Sequence, residues 1–248
     1  MKNKTRYTAI LLGLLVVGAV STVCADVMTL GTTDDSWVNG NAPSVGSNYG
    51  GLTEIRLWNQ NDTWGNNYSL AKFDVSTLPA NIVVNSVRMR FFTRLVGWPG
   101  ATNFSPVAIF NNTQDWDEST VTFANAPTYV ATAVKTLDHF GLVGFDDVYF
   151  TGANTITSGA WLEYTGAETI ALVEGWANGS IANYGVSIMA TEYVDSDRSF
   201  FLQAKENPAT SVQPNIVVDY TIIPEPATMG LFGIFALALL AARHRFGI

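Results

Sequence analysis

The stretch "NSVRMRFFTR" at residues 85–94 decides the fold, because its apolar and basic residues alternate. Val87, Met89 and Phe91 fall on one side of an extended chain, and the three arginines fall on the other. This period of two predicts a half-buried β-strand with a basic outer face. Similar short segments, bounded by Gly, Asn, Asp and Pro, predict further strands at 53–58, 68–75, 105–110, 147–150, 184–190, 199–204 and 215–222.

One segment departs from this pattern. The stretch "ETIALVEGWANG" at 168–179 places Ile170, Val173 and Trp176 at helical spacing and ends at Gly179, which predicts one short helix. Many strands, one helix and long connections together predict an all-β fold, a jelly-roll-type two-sheet β-sandwich. The predicted domain spans residues 26–222, long enough to bury one core without cross-links.

Residues 1–25 have the composition of a signal peptide. Three basic residues among the first six precede an apolar run at 9–20, and small residues lead up to Ala25. Cleavage after Ala25 would make Asp26 the new N-terminus. The chain's single cysteine, Cys24, lies in this segment, and Val23 before it is too bulky for a lipoprotein site. The exported domain therefore has no thiol, which excludes disulfides, thiolate catalysis and cysteine-bound zinc.

The C-terminal segment, residues 223–248, combines three features in order. Pro224, Glu225 and Pro226 come first, an uncharged stretch of 14 residues follows at 229–242, and Arg243 and Arg245 come last. The apolar stretch is shorter than the roughly 20 residues of an ordinary spanning helix, and the prolines fix its start. The basic end favours the cytoplasmic side. We expect a marginal transmembrane helix; a buried core helix is the alternative.

These residues resemble the PEP-CTERM sorting signal. The resemblance implies recognition by an exosortase, a membrane protease-transpeptidase of Gram-negative bacteria that make exopolysaccharide. It also implies that residues 223–248 anchor the chain in the inner membrane temporarily, before it reaches the cell surface, envelope or extracellular matrix.

The exported part is strongly acidic. Residues 26–223 contain 8 basic and 20 acidic side chains, a net charge of −12. Such a surface repels nucleic acid and other polyanions on average and favours solubility or cation binding. We therefore expect no nucleic-acid partner, while a local basic groove remains compatible with this charge.

A second resemblance rests on the order of several short motifs. They are "DDSWV" at 34–38, "NYG" at 48–50 and 183–185, "LAKFDVSTLP" at 70–79, "DWDESTVTFANAP" at 115–127, "LVEGWANG" at 172–179 and "KENP" at 205–208. This order resembles the DNRLRE domain, a β-sandwich module of secreted proteins and polysaccharide-active enzymes, over nearly all of 26–222. The resemblance implies carbohydrate binding without catalysis.

Two groups of acidic residues are candidate sites. Asp115, Asp117 and Glu118 could suggest glycoside hydrolysis, but that chemistry needs two carboxyls across a cleft, one with a raised pKa. We expect instead that these acids accept backbone amides in a turn before a strand at 121–123, with metal ligation as the second interpretation. Asp34 and Asp35, with Asp195 and Asp197, could bind a structural calcium ion, and solvated turn acids are the alternative.

Catalytic constellations are otherwise missing from the sequence. His139 is the only histidine of residues 26–223, which argues against zinc sites and Ser–His nucleophiles, so we expect no enzyme. Four tryptophans in apolar contexts are predicted core residues: Trp37, Trp116, Trp161 and Trp176. Those in polar contexts are candidate sugar platforms: Trp58, Trp64 and Trp98. Stacking that buries about 100 Å² would contribute roughly 2–3 kcal/mol.

Arg88 and Arg90, with Arg94, could pair with uronate carboxylates, although a solvated strand face is the commoner explanation. The sequence thus predicts an exported, surface-sorted protein that binds exopolysaccharide. A structural surface or matrix protein without a defined ligand is the alternative, and a glycan-active hydrolase or lyase is the least supported.

Overall fold

A computed structural model describes residues 25–59, 66–79, 81–97, 107–137, 160–191 and 198–223. Within these ranges, the side chains of residues 58–59, 66, 94–97, 137, 160 and 198–200 are not described. The predicted strand at 147–150, most of the predicted signal peptide and residues 224–248 lie outside the described residues. No helix within the described ranges is long and apolar enough to cross a membrane.

The described residues form ten strands and one helix. The strands are β1 (Ala25–Asn39), β2 (Glu54–Asn59), β3 (Asn66–Phe73), β4 (Ile82–Gly97), β5 (Val107–Asn111), β6 (Lys135–Leu137), β7 (Ala160–Tyr164), β8 (Val186–Ala190), β9 (Arg198–Gln203) and β10 (Asn215–Ile222). The helix α1 (Ala167–Ala177) lies between β7 and β8, and single 3-10 turns occur at Phe123–Asn125 and Thr210–Val212.

The strands pair in an antiparallel sheet that folds back on itself. Their hydrogen-bonded order is β1-β10-β4-β9-β2-β3-β8-β5-β6, with β7 beside β4. β1 also pairs with β3, so the path returns from its middle to its first strand. β4, β7 and β9 then belong to one sheet, while β3, β5, β6 and β8 belong to the other. This arrangement, with its one short helix, is consistent with an all-β sandwich.

The chain divides into two compact units. The larger comprises residues 27–80 and 84–220 and contains the helix and nearly all of the strand residues. The described residues of the smaller unit are 25–26, 81–83 and 221–223. Within the smaller unit, the Ile223 backbone N–H donates to the Asn81 carbonyl at 2.9 Å.

The core of the larger unit confirms the alternation of β4. Val87, Met89 and Phe91 are all buried. The Phe91 ring packs edge-on against Phe73 of β3 at 6.0 Å and Tyr164 of β7 at 6.1 Å. Aromatic contacts of this geometry stabilise a core beyond the area they bury. One strand's period of two therefore orients its apolar face into the core and its arginines outward.

The predicted helix is also confirmed. Val173 and Trp176 of α1 are buried, and the Asn178 backbone N–H donates to the Glu174 carbonyl at 2.9 Å. Gly179 follows with a φ of +75°, a left-handed conformation that ends the helix at little cost for glycine. Trp37, Trp116 and Trp176 are buried as predicted.

Some local predictions are wrong. The strand expected at 121–123 is absent, because residues 123–125 form a 3-10 turn. The Asn125 side chain accepts the Thr122 backbone N–H at 2.6 Å, and this local bond competes with strand pairing. Three strands, β1, β6 and β7, were not predicted from the sequence, since the acids of β1 suggested a turn and the other two strands are short.

Candidate functional site

The outward positions of β2, β4, β7 and β9 form a basic and aromatic surface. Arg56 pairs in register with Phe201, and Arg94 pairs with Phe201 from the other side. Side chains alternate along a strand, so these three positions lie in one row on the same side of the sheet. The surface, called the arginine face below, comprises Arg56, Arg88, Arg90, Phe92, Trp161 and Phe201.

Arg56 is held by aromatic rings. Its guanidinium carbon lies 4.6 Å from the centroid of the Phe201 ring and 5.2 Å from that of Trp37. These are cation–π distances, which orient the planar group without using its N–H donors. Arg56 is exposed, and the described residues place no carboxylate within ion-pair distance of it. Arg56 is therefore a candidate ligand-binding residue.

Arg90 is engaged more tightly than predicted. Its Nε lies 2.9 Å from Glu163 Oε1, but the N–H does not point at that oxygen, so the contact is ionic rather than a hydrogen bond. Its guanidinium carbon lies 4.1 Å from the centroid of the Trp161 ring, and Trp161 packs edge-on against Phe92 at 5.2 Å. Arg88 is exposed.

Trp161 was predicted to be a core residue, and this is wrong. It is half-buried at an outward position of β7, directly opposite Phe92 of β4. The inward neighbour Leu162 takes the buried position instead. Trp161 thus adds an aromatic edge to the arginine face.

The charge of the arginine face opposes that of the whole domain. Arg56 and Arg88 are exposed on this sheet and Arg90 is half-buried, while the net charge of residues 26–223 is −12. A local concentration of cations on a low-dielectric surface attracts anionic ligands even when the average field repels them.

Residues of the loop after β5 line a concave surface. It is a groove of about 540 Å³ lined by Asp34, Lys72, Asp115, Trp116, Asp117, Thr120, Val121 and Asn125. Lys72 Nζ lies 2.6 Å from Asp115 Oδ1 and also donates to the Trp116 carbonyl. Trp116 is only 7% exposed, so its ring cannot serve as a stacking platform.

Asp115 and Asp117 of this groove both have lowered pKa values. The hydrogen bond from Lys72 lowers the pKa of Asp115 below its usual value. Hydrogen bonds from the Ser119 hydroxyl and backbone N–H lower the pKa of Asp117 in the same way. These bonds agree with the predicted turn role of the two acids. A general acid for glycoside hydrolysis needs a raised pKa, which neither residue has.

The asparagines of the two "NYG" motifs make similar hydrogen bonds. Asn48 Nδ2 donates to the carbonyls of Glu118 and Val121 at 2.8 and 2.7 Å, and Asn183 Nδ2 donates to that of Phe73 at 2.8 Å. Both motifs therefore tie loops to neighbouring segments through side-chain amides.

A buried group of charges joins three distant segments. The acidic cluster consists of Asp35 in β1, Glu118 in the loop after β5 and Glu206 after β9, with Lys205 beside them. Glu118 Oε1 accepts the Asp35 backbone N–H at 2.9 Å, and Glu118 Oε2 lies 2.7 Å from Lys205 Nζ. Lys205 Nζ also pairs with Glu206 Oε1.

Burial dominates the titration of Asp35. Desolvation, with the nearby charges of Glu206 and Glu118, raises the pKa of Asp35 to about 8, and the hydrogen bond from the Lys205 backbone opposes this shift. Burial alone would lower the pKa of Lys205, but its hydrogen bonds to the two glutamates raise it above the usual value. The ammonium group of Lys205 therefore links the charges of Glu118 and Glu206.

The structure does not bring Asp34 and Asp35 together. They are adjacent in β1. In the register of β1 and β3, Asp34 lies opposite Lys72 and Asp35 lies opposite the buried Ala71. Consecutive side chains point to opposite faces of a strand, so Asp34 faces the groove and Asp35 faces the interior. Asp35 instead meets Glu118 and Glu206. These two residues are 83 and 171 positions away in the sequence, beyond the reach of any local pattern.

The other predicted site residues are placed only in part. Trp58 lies near the end of β2 opposite Asn67, and its side chain is not described. Trp64, Trp98, Asp195, Asp197 and the sorting residues 224–226, 243 and 245 lie outside the described ranges. Ala25 and Asp26, at the predicted cleavage position, are the first residues of β1.

Comparison with known families gives one match. Residues 26–140 match the family model of carbohydrate-binding module family 96. The matched segment includes Arg56, Arg88 and Arg90 and ends before Trp161 and Phe201. A search of curated proteins found no match. Over these residues the chain is similar to a carbohydrate-binding module, a class of protein that is typically non-catalytic.

Proposed function

We propose that the protein binds polysaccharide through the arginine face, without catalysis, and prefers chains that carry carboxylates. The observation that carries this proposal is the position of Arg56. Its guanidinium is oriented by the rings of Trp37 and Phe201, and it has no carboxylate partner among the described residues. A guanidinium presents a planar fork of donors that matches a uronate carboxylate.

The arrangement of the face supports a polymeric ligand. The positions of Arg56 and Arg94 flank Phe201 on either side, so they stand two interstrand spacings apart, about 10 Å. On such a surface, Arg56 can engage a carboxylate of an extended chain while the neighbouring Phe201 ring contacts a sugar face. The acidic groove under the loop after β5 supports no such ligand, since its carboxylates repel uronates.

We propose that delivery follows the two ends of the chain. Residues 1–25 would be removed as a signal peptide, and residues 223–248 would act as a PEP-CTERM tail recognised by an exosortase. The protein would then reside on the cell surface or in the extracellular matrix. The sandwich between them would be of the jelly-roll, DNRLRE-like type.

Affinity electrophoresis tests the binding proposal. The protein is run through gels containing a polyuronate, the same polymer with its carboxyl groups reduced, or a neutral glucan. We expect retardation by the polyuronate and weaker retardation by its reduced form. Equal mobility in all three gels would favour a structural surface protein without a ligand, and release of reducing ends or unsaturated uronates would restore the enzyme interpretation.

Mass spectrometry of fractionated cells tests delivery separately. We expect a mature N-terminus at Asp26 and loss of the C-terminal tail from surface-associated protein. An intact Ile248 in every compartment would reject processing by an exosortase while leaving the binding proposal untouched.

A further inference from the structure

The acidic cluster has the spacing of a metal coordination shell. Asp35, Glu118 and Glu206 each contribute one carboxylate oxygen, and these oxygens lie within 4.8 Å of one another. Oxygen ligands that stand 2.3–2.6 Å from a calcium ion are separated by about 5 Å at most. The three carboxylates are therefore close enough together to ligate one ion.

Two carboxylate oxygens of the cluster are buried without a hydrogen-bond donor. Asp35 is 1% exposed, and its Oδ2 accepts the Lys205 backbone N–H at 2.6 Å. Asp35 Oδ1 and Glu206 Oε2 are buried and have no hydrogen-bond partner among the described residues. Buried polar atoms are nearly always paired, so these two oxygens indicate a missing partner, either a proton or a bound cation.

Lys205 balances the cluster only in part. Its ammonium pairs with one oxygen of Glu118 and one of Glu206, and it contributes one positive charge against three carboxylates. The Lys205 side chain is 22% exposed, so it can turn toward solvent without crossing the core. The ammonium and a metal ion would therefore share the same oxygens.

We propose that Asp35, Glu118 and Glu206 form a calcium site in which the Lys205 ammonium competes with the ion. Carboxylate oxygens are hard ligands that suit calcium, and the flexible geometry of calcium tolerates three carboxylates from separate segments. Magnesium retains its waters more strongly and fits a buried carboxylate poorly. The bound ion links β1, the loop after β5 and the turn after β9. The proposal uses no residue of the arginine face.

Calorimetric titration and thermal unfolding of the full-length protein test this proposal. After treatment with EDTA, calcium is titrated at constant pH and ionic strength, with magnesium in parallel. We expect saturable calcium binding and a melting temperature that rises with calcium and less with magnesium. Glu206→Gln is expected to weaken calcium binding by about tenfold or more, because it removes ligand charge.

Lys205→Met separates a metal site from an ordinary ion-pair network. We expect it to bind calcium about tenfold more tightly than the wild type, since the competing charge is gone. Glu168→Gln on α1, outside the cluster, changes the net charge by the same amount as Glu206→Gln and should leave calcium binding unchanged. An absent calcium response in the wild type, an undiminished one in Glu206→Gln, or weaker binding by a folded Lys205→Met would overturn the proposal. If Lys205→Met does not fold, the wild type and Glu206→Gln alone decide.

Discussion

Replacement of Arg56 by glutamine tests the arginine face at an exposed cation. The side chain is exposed, its guanidinium is oriented by Trp37 and Phe201, and no described carboxylate pairs with it. The substitution removes the charge and the planar fork but retains a polar side chain of similar length. We expect weaker binding to a polyuronate and little change for a neutral glucan.

The size of the effect follows from the exposure of Arg56. A hydrogen bond to a charged group contributes about 1.5–3 kcal/mol, and exposed ion pairs contribute less, about 0–1 kcal/mol. A partly desolvated contact with a polymer lies between these limits, at about 1–2 kcal/mol, or roughly a 5- to 30-fold loss of affinity. Loss of two cation–π contacts also destabilises the fold by about 1–2 kcal/mol.

Isothermal titration with a defined oligouronate measures the loss, and Lys135→Gln is the matched control. Lys135 lies on β6 in the other sheet, and its replacement changes the net charge by the same amount. Circular dichroism confirms that both variants are folded at the assay temperature. Equal weakening by both substitutions would show a response to overall charge alone and would refute a site at Arg56.

Two further predictions concern stability. Gly185 has a φ of +75°, and an added Cβ would stand 2.1 Å from the Ala71 carbonyl oxygen, so Gly185→Ala should lower the free energy of unfolding in urea by about 2–5 kcal/mol. Gly51→Ala, at a φ of +77° in open space, should cost only about 1–2 kcal/mol, and equal losses would contradict the contact. Asp35 has its pKa raised to about 8 in the folded state from an ordinary value of 3.8, so the folded protein holds this proton more tightly. In EDTA, the stabilising contribution of Asp35 should be complete below pH 4 and should decline as the pH rises to 8. Urea midpoints measured across this pH range should therefore vary less in Asp35→Asn than in the wild type. The same pH profile in both proteins would contradict this assignment to Asp35.

The sequence predicted features whose cause is local. The alternation in β4 placed Val87, Met89 and Phe91 in the core, because a period of two is a property of one strand. The spacing in α1 likewise predicted buried Val173 and Trp176. Arg56 was missed although its signal was present. The buried Ile55 and Leu57 on either side of it show the same alternation in a shorter strand.

The remaining features depend on pairing between distant segments. Trp161 faces outward because β7 pairs with β4 in a register that no local pattern reveals. Glu118 and Glu206 lie near Asp35 because the tertiary fold brings the loop after β5 and the turn after β9 next to β1. Long-range register is set by the whole core rather than by any one segment. This is why the sequence named Asp35 and Glu118 in two separate acidic groups and connected neither of them with Glu206.

Side-chain NMR during titration with an oligouronate tests the location of binding most directly. The Nε–H signal of Arg56 and the indole N–H signal of Trp161 report on the arginine face. The indole signals of the buried Trp116 and Trp176 serve as internal references. We predict saturable shifts of the first pair at ligand concentrations that leave the second pair unchanged. Shifts confined to Trp116, beside the acidic groove, or no shifts at saturating ligand, would contradict binding at the arginine face.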